Sequence, residues 1–227
     1  MCAESVQLPF MQADVMILHG YYRSSAAFRV RIALNLKGLA HSHAPHHLRH
    51  GGQRDPAYLK LNPQGLVPAL EDGGRVLTQS LAIVEYLDET HPSPPLLPGN
   101  AIDRAHVRAL AQIVACDIHP IDNLRVLRYL RDPIGADEAT VQAWYNHWIA
   151  LGFDAIEAIL TNDPRTGRFC HGDAPGLADI CLVPQVVNAG NFKLDLTPYP
   201  AIRRIFDACM ALDAFADAHP AKQPDAE

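Results

Sequence analysis

The stretch VMILHGYYRSSAAFRVRIALNLKG, residues 15–38, decides how the first half of the chain folds. Its opening apolar run ends at Gly20 and is typical of a buried strand. Apolar residues then recur at helical spacing until Gly38, which predicts a helix that starts at the serine pair and stops at the glycine. The described pattern is therefore a strand followed directly by a helix.

Strand and helix signals continue to alternate up to residue 91. We expect a second strand within residues 41–48, a short helix at 57–61 and a third strand at 66–70. Pro68 falls inside that third strand. A proline in a sheet ladder is confined to edges, bulges and special turns, so Pro68 is a candidate for a cis peptide bond. The first half therefore reads as an α/β domain.

A hairpin and a helix close this first domain. Residues 71–74, Glu-Asp-Gly-Gly, predict a turn into a partner strand at 75–78. Ser80 is expected to cap a helix that runs to about His91. The helix separates apolar from acidic positions. Its predicted inward residues are Ile83, Val84 and Leu87, and its predicted outward residues are Glu85, Asp88 and Glu89.

The clearest break in predicted secondary structure is the stretch PSPPLLPG at residues 92–99. Four prolines within seven residues cannot continue a helix or a sheet, so we place a domain boundary here. Beyond it, alanine-rich periodic stretches predict helices at about 101–131, 137–161, 175–190 and 199–216. The predicted organisation is an N-terminal extension at 1–14, an α/β domain at 15–91, a proline-rich linker at 92–100 and an all-helical domain at 101–227.

One of the predicted helices carries a capping signal. Asp179 follows Gly176 by three residues, a position from which a carboxylate accepts a hydrogen bond from the backbone of the helix cap. We expect this contact to support folding by roughly 1–2 kcal/mol.

Composition excludes several classes of protein. Hydrophobic residues make up 48% of the chain and charged residues 19%, as in ordinary globular proteins rather than disordered or coiled-coil chains. The net charge of −6 gives no overall attraction to nucleic acid or to an anionic membrane. No apolar run approaches the roughly 20 residues of a membrane span, and the first 14 residues lack a signal-peptide pattern. We expect a cytoplasmic protein with no nucleic-acid or membrane partner.

Cysteines and histidines predict no metal site. The five cysteines, at positions 2, 116, 170, 181 and 209, are odd in number and include no Cys-x-x-Cys pair, so we predict small buried residues. The dense histidine run consists of His41, His43, His46, His47 and His50. No cysteine or carboxylate lies close enough in sequence to complete a tetrahedral site. We interpret this run as a solvated surface.

The serine pair at the predicted helix start is the first candidate for chemistry. Ser24 and Ser25 are good N-capping residues, and capping alone is their common role. A helix N-terminus also presents free N–H groups and partial positive charge. A hydroxyl there can donate to a thiolate and lower its pKa. The residues by themselves leave both roles open.

The second candidate lies in residues 61–70 and 79–80. A Val-Pro pair that enters a strand, here Val67 and Pro68, leaves a backbone edge with which an extended peptide can pair. Ser80, at a helix start, can hold a carboxylate of that peptide. Each feature alone is weak, but strand, serine-pair helix, Val-Pro and Gln-Ser helix in this order form a specific combination.

These motifs resemble the zeta-class glutathione transferases, and within that class the maleylacetoacetate and maleylpyruvate isomerases. Further matching stretches are Leu-Asn-Pro at 61–63, Leu-Leu-Pro at 96–98, Ile-His-Pro at 118–120, Val-Pro-Gln at 183–185 and DLTPYP at 195–200. The likeness covers nearly the whole chain, from about Val15 to Pro224. It implies the glutathione transferase fold, α/β plus all-α, with a thioredoxin-like N-terminal domain, an all-helical C-terminal domain and a homodimer.

The resemblance also assigns a glutathione site. Ser24 and Ser25 would stabilise the glutathione thiolate, and the backbone of Val67 would pair with the tripeptide. Gln79 and Ser80 would hold its γ-glutamyl end. The remaining predicted contacts are Gln53, His119 and Asn123.

The substrate class of this family is a small dianionic keto acid with a cis double bond. Isomerisation needs a nucleophile that adds to the double bond, permits rotation and then leaves, and the glutathione thiolate is that nucleophile. Arg23 and Arg125 are the predicted clamps because a guanidinium binds a carboxylate bidentately. Arg29 is a third member of this local cationic set. Either clamp taken singly is equally consistent with a structural or solvated role.

The sequence departs from the family pattern at three positions. Ala26 stands where the family has a cysteine, and Phe28 stands where it has a tryptophan. No protein thiol is therefore expected beside the serine pair. Asn191 stands just before Phe192, where the family commonly has an arginine, and we place Asn191 in the substrate site with Arg23 and Arg125.

Three functions are compatible with these residues. The leading hypothesis is a glutathione-dependent cis–trans isomerase of maleylacetoacetate or maleylpyruvate in aromatic-compound degradation, including aromatic amino acid catabolism. The second is a general glutathione transferase or a dehalogenase of small electrophilic acids. The third is a non-catalytic binding protein with the same fold, which would have no need of a complete thiol site.

Overall fold

The structure, a computed structural model, describes residues 15–227, so the predicted N-terminal extension at 1–14 lies outside the described residues. One four-stranded sheet has the order β2-β1-β3-β4. Its strands are β1 (Met16–Gly20), β2 (His41–Pro45), β3 (Ala69–Asp72) and β4 (Arg75–Thr78). β1 runs parallel to β2 and antiparallel to β3, and β3 runs antiparallel to β4.

Three helices accompany this sheet, namely α1 (Ser25–Leu36), α2 (Pro56–Leu61) and α3 (Ser80–Thr90). Side chains alternate across a strand, so neighbouring residues of β1 enter different cores. Leu18 belongs to the large core with Phe28 of α1 and Ile83 of α3. His19 instead contacts Tyr58 of α2, with ring centroids 5.8 Å apart. The sheet therefore lies between α1 and α3 on one face and α2 on the other, which confirms the predicted α/β domain.

The edges of two predicted elements differ from the sequence prediction. β3 begins at Ala69 rather than at residue 66. The Val67–Pro68 peptide bond that precedes it is cis. The predicted cis bond is thus present. Ser80 is not a cap: it is the first residue of α3, and Gln79 occupies the cap position with a positive φ of 70°.

The proline-rich linker is held by a buried ion pair. The Nζ atom of Lys37, at the end of α1, lies 2.7 Å from Asp88 Oδ1 and also donates to the carbonyls of His91 and Pro94. Asp88 in turn accepts the N–H of Leu96 at 2.8 Å. The prediction of an outward Asp88 was therefore wrong, because this pair supplies partners to two linker backbone groups and to the carbonyl of His91, just after α3.

In the described residues after the linker, all regular secondary structure is helical, as predicted. Its elements are α4 (Ala101–Gln112), a π-helical segment (Ile113–Ile118), α5 (His119–Ile121), α6 (Leu124–Arg131), α7 (Glu138–Asn162), α8 (Leu177–Asn191), α9 (Pro200–Met210) and α10 (Asp213–Ala216). The predicted helix at 101–131 is interrupted because the Asn123 side chain accepts the N–H of Arg125 and starts α6 anew. α8 packs against α1 and α4, so it joins the two domains.

Close approach of α7 to the π-helical segment depends on a glycine. A Cβ atom added at Gly152 would overlap the Ile118 side chain. The missing side chain therefore lets the two elements pack directly at the base of the helical domain.

The histidine run forms the predicted solvated surface only in part, because His50 is exposed whereas His43 and His46 are partly buried. His43 Nε2 lies 3.1 Å from Asp225 of the C-terminal tail, and 13% of its side chain is exposed. His46 Nε2 lies 2.9 Å from His19 Nδ1. Burial lowers the pKa of both His43 and His46. The contact of His43 with Asp225 thus helps to attach the C-terminal tail to the first domain, whereas His46 packs within that domain.

Of the four cysteines in the described range, Cys170, Cys181 and Cys209 are buried and unpaired, as predicted, whereas Cys116 is exposed. Among residues 15–227, no group of histidine, cysteine or carboxylate side chains has an arrangement that could hold a metal ion. Within the same range, none of the helices has both the length and the apolar character required to cross a membrane.

Asp179 forms the predicted cap of α8 and a second contact that the sequence did not predict. Its Oδ2 accepts the N–H of Gly176 and its Oδ1 accepts the N–H of Cys170, both at 2.9 Å. Asp179 is 1% exposed. Its carboxyl therefore pins the loop before α8 as well as the start of the helix.

Asp179→Ala should lower the free energy of unfolding by roughly 2–4 kcal/mol, because two N–H groups lose their acceptor. Urea denaturation measures this. The control is Asp195→Ala, which removes an exposed carboxylate that accepts one N–H, from Thr197 at 2.9 Å. Equal losses in the two variants would contradict the assignment of Asp179 as an anchor of α8.

Asp122, at the break between α5 and α6, is a buried carboxyl. It is 6% exposed, and within the described chain neither carboxyl oxygen has a hydrogen-bond partner. Burial raises the pKa of Asp122 to about 8, because desolvation disfavours the charged form. Asp122 is therefore a neutral carboxylic acid at pH 7.

Folded Asp122 keeps its proton up to about pH 8, whereas the unfolded chain releases it near its ordinary pKa of 3.8. The free energy of unfolding therefore falls as pH rises between these values. Asp122→Asn removes this loss. The free energy of unfolding of the variant, relative to that of the wild type, should therefore rise by at least about 1 kcal/mol between pH 5 and pH 8. Urea denaturation across this range, with exposed Asp117→Asn as control, checks it. A stability difference that is independent of pH would contradict it.

Candidate functional site

A cleft of about 530 Å³ lies between the α/β domain and the helical domain. The N-terminal end of α1, the turn before α2 and the segment before β3 form one wall. The other wall consists of α5, α6 and the facing parts of α7 and α8. Nine of the predicted site residues line it, namely Arg23, Ser24, Ser25, Gln53, Val67, His119, Asn123, Arg125 and Asn191.

The serine pair presents two hydroxyls at the start of α1. Ser24 is the N-cap, and its Oγ accepts the N–H of Ala27 at 3.2 Å. Ser25 Oγ accepts the side-chain N–H of Asn188, on α8, at 2.5 Å. A hydroxyl that accepts in this way retains its own proton as a donor. Capping and anion binding are thus compatible in this pair, since the two uses need different parts of the hydroxyl.

Arg29 is buried directly behind the serine pair and is 2% exposed. Its Nη1 donates to Ser80 Oγ at 3.2 Å and its Nη2 donates to His119 Nδ1 at 3.0 Å. Burial lowers the pKa of Arg29. Our placement of Arg29 in a substrate-facing cationic set was wrong, because the guanidinium instead joins the starts of α3 and α5.

His119 is neutral at this position. Burial, reinforced by the charge of Arg29, lowers the pKa of His119 to about 3. Arg29 can only donate, so Nδ1 of the imidazole is the acceptor and Nε2 carries the proton. His119 therefore offers one N–H donor while adding no charge to the cleft wall it lines.

The segment before β3 offers a free backbone edge. The carbonyl of Leu66 accepts from the Tyr58 hydroxyl at 2.5 Å and from the Asn62 side chain at 2.8 Å. Within the described residues, no hydrogen bond engages the N–H or the carbonyl of Val67. Gln53, beside it in the cleft wall, has a buried Oε1 without a partner in the same range. These unpaired groups can receive an extended peptide.

Gln79 and Ser80 do not line the cleft. Gln79 Nε2 donates to Gln64 Oε1 at 2.8 Å, which places it beside the segment that begins the cleft wall at Gly65. The positive φ of Gln79 is costly for a residue with a side chain and is typical of functional sites. Ser80, at the start of α3, accepts from Arg29 and so retains a free proton.

The cleft carries more positive charge than the sequence predicted. Arg23 and Arg125 line it as expected, and so do Arg49, Arg54 and Arg128. Arg128 also donates to the carbonyls of Leu48 and Arg49 at 3.3 Å, across the mouth of the cleft. Its position three residues after Arg125 on one helix face is a signal that could have identified it. No local signal distinguishes Arg49 and Arg54 from solvated loop residues.

Two further lining residues escaped prediction because their neighbours come from distant parts of the chain. Tyr145 of α7 stacks on Phe192 with ring centroids 3.4 Å apart. Gln185 of α8 is 1% exposed, and both polar atoms of its amide lack partners within the described chain. Both residues line the cleft beside predicted Asn191.

The arrangement as a whole suits a peptide thiol and a second anion. Hydroxyl donors at a helix N-terminus stabilise negative charge, and the unpaired backbone of Val67 suits an extended chain. Guanidinium groups across the cleft match carboxylates. No cysteine within residues 15–227 lines the cleft, so a thiol there has to come from a bound molecule.

Comparison with known proteins agrees with this geometry. Residues 18–95 match a family described as the glutathione S-transferase N-terminal domain. The maleylpyruvate isomerase of Ralstonia sp. is 54% identical over 92% of this chain and 99% of its own length.

Two solved structures share the whole fold. One is a holo structure of maleylpyruvate isomerase, a bacterial zeta-class glutathione S-transferase, with a TM-score of 0.92, 54% identity and coverage of 93% of this chain and all of its own, 100%. The other is the maleylacetoacetate isomerase of Methylobacterium extorquens AM1 with bound malonate and glutathione, with a TM-score of 0.91, 47% identity and coverage of 93% and 99%. The chain belongs to the zeta class of the glutathione S-transferase family.

Proposed function

We propose that this protein is a glutathione-dependent isomerase that converts the cis double bond of maleylpyruvate or maleylacetoacetate to the trans form. The observation that carries the proposal is the pair of hydroxyl donors at the start of α1, in a cleft that is lined by arginines from both domains. The close relatives with this activity support it.

Glutathione fits the unpaired polar groups of the cleft. The backbone of Val67 pairs with the tripeptide, and the buried Oε1 of Gln53, which has no partner within the described residues, accepts one of its N–H groups. The γ-glutamyl end extends beyond the cleft to Ser80 and Gln79 at the start of α3, beside the segment that begins the cleft wall. His119 adds the N–H donor at Nε2. A relative is solved with both glutathione and malonate, a small dianion, bound, which supports binding of a small dianion as well as glutathione.

The residues of this chain prepare the thiol for reaction. When bound, glutathione supplies a thiolate that adds to the double bond of the substrate and later leaves. Ser24 and Ser25 donate to the sulfur and stabilise its negative charge, and the N-terminus of α1 adds to this stabilisation. Since Ala26 occupies the position next to them, the serine pair carries this task without a protein thiol.

The arginines hold the keto acid in place. Arg23 binds one carboxylate next to the serine pair, and Arg125 binds the other from α6. Asn191 contributes a neutral amide where an arginine is common, so Arg49, Arg54 and Arg128 supply the remaining positive charge. The homodimer and the role in aromatic-compound degradation stay predictions of the resemblance, and the cytoplasmic location stays a prediction from composition and the N-terminal sequence.

The direct test is an isomerisation assay. The purified protein should convert maleylpyruvate or maleylacetoacetate to the fumaryl isomer only when glutathione is present, because the nucleophile is not part of the chain. Loss of the cis isomer is followed by absorbance or chromatography. If neither acid is isomerised in the presence of glutathione, the proposed function is wrong.

Ser24→Ala or Ser25→Ala should raise the thiol pKa of bound glutathione and reduce the thiolate at neutral pH by roughly tenfold, since each removes one donor. Thiolate absorbance against pH measures this. Ser42→Ala is the matched control, because Ser42 lies exposed on β2 and, within the described residues, its hydroxyl bonds only to the carbonyl of Met16, at 3.5 Å. Titrations that are identical in all variants would exclude the assigned serine role.

A further inference from the structure

The contact between Asn188 and Ser25 joins the two domains at the thiol site. Asn188 lies on α8 and donates from Nδ2 to Ser25 Oγ at 2.5 Å. Ser25 is the first residue of α1 and is 6% exposed. Both residues line the cleft and also a second cavity of about 480 Å³ next to it, so the contact forms part of the wall between the two spaces.

The hydrogen bonds that Ser25 Oγ accepts determine the direction of its proton. A serine hydroxyl has one proton and two lone pairs, and it rotates freely unless a neighbour fixes it. Asn188 occupies one lone pair of Ser25 Oγ. Within the described residues, no acceptor takes the Ser25 proton. The proton is therefore available on the side of the oxygen that faces away from Asn188.

Asn188 is itself held in a rigid element. α8 begins at the buried carboxyl of Asp179 and packs against α1. Val186 and Ala189, on either side of Asn188 in the sequence, are 3% and 0% exposed. The backbone that carries Asn188 is therefore held in place against α1.

We propose that Asn188 is a positioning residue: it fixes the rotation of the Ser25 hydroxyl so that the Ser25 proton is presented to the thiolate of bound glutathione. The inference rests on the proposed function for the identity of the anion. It assigns to the helical domain a part in activating a thiol that the α/β domain binds.

The orientation of the Asn188 amide gives the proposal its direction. With Nδ2 toward Ser25, the amide donates and the serine proton stays free. With Oδ1 toward Ser25, the amide would accept that proton and withdraw it from the thiolate. The two orientations therefore predict opposite effects of removing the amide: loss of thiolate in the first case and gain of thiolate in the second.

The test is a thiol titration of bound glutathione in the absence of any keto acid. Thiolate absorbance against pH is measured for the wild type, Asn188→Ala and Asn188→Asp. At a fixed pH below the wild-type pKa, Asn188→Ala should lower the thiolate fraction about 3- to 10-fold. Asn188→Asp should lower it further, because a carboxylate accepts the Ser25 proton and adds negative charge.

Gly190→Ala is the matched control. It lies two residues further along α8, and a Cβ atom there meets nothing within 4 Å. This variant should titrate like the wild type. Affinity for S-methylglutathione, which has no ionisable thiol, should be the same in the wild type, Asn188→Ala and Gly190→Ala, because the proposed role of Asn188 acts on the thiolate alone.

A double-mutant cycle separates positioning from a general structural effect. In a Ser25→Ala background, Asn188→Ala should have no further effect on the titration, since Asn188 acts through Ser25. An unchanged or increased thiolate fraction in Asn188→Ala overturns the proposal. Equal effects in the two backgrounds, or a parallel loss of S-methylglutathione affinity, also overturn it. Failure of isomerisation with an intact titration would refute only the proposed function.

Discussion

The structure of the site depends on a buried cation, the guanidinium of Arg29. A charge removed from water is costly unless polar partners replace the water. Within residues 15–227, the groups that bind it are neutral, Ser80 at the start of α3 and His119 at the start of α5. One side chain of α1 therefore fixes the ends of two helices from different domains. This constraint also determines which atoms of Ser80 and His119 are free to bind a ligand.

The same donor and acceptor logic extends to the serine pair. The N–H of Ala27 binds Ser24, the amide of Asn188 binds Ser25, and Arg29 binds Ser80. In each case a fixed donor of the protein occupies a lone pair, so the hydroxyl proton remains for an anion. The hydroxyl donors are thus oriented before any ligand binds. Donors that are oriented in advance stabilise developing negative charge efficiently.

Much of this architecture follows from local sequence, because strand and helix periodicity, the serine cap and the proline-rich linker are local signals. The predictions that were wrong or incomplete concern residues whose environment is set by contacts with distant parts of the chain. Asp88 sits at an outward helical position, yet Lys37 turns it into a buried anchor of the linker. The local sequence predicts a solvated His43, but in the structure Asp225, far along the chain, contacts its side chain. Arg49 and Arg54 belong to the cleft only because α6 folds opposite their loop.

The protonation state of His119 reports on the Arg29 constraint most directly. Nitrogen-15 NMR of the imidazole distinguishes the two tautomers and the charged form. We expect a neutral ring with the proton on Nε2 throughout the range from about pH 5 to 8, because burial and the charge of Arg29 lower the pKa of His119 to about 3. A titration near the ordinary pKa of about 6.5, or a proton on Nδ1, would contradict the proposed network.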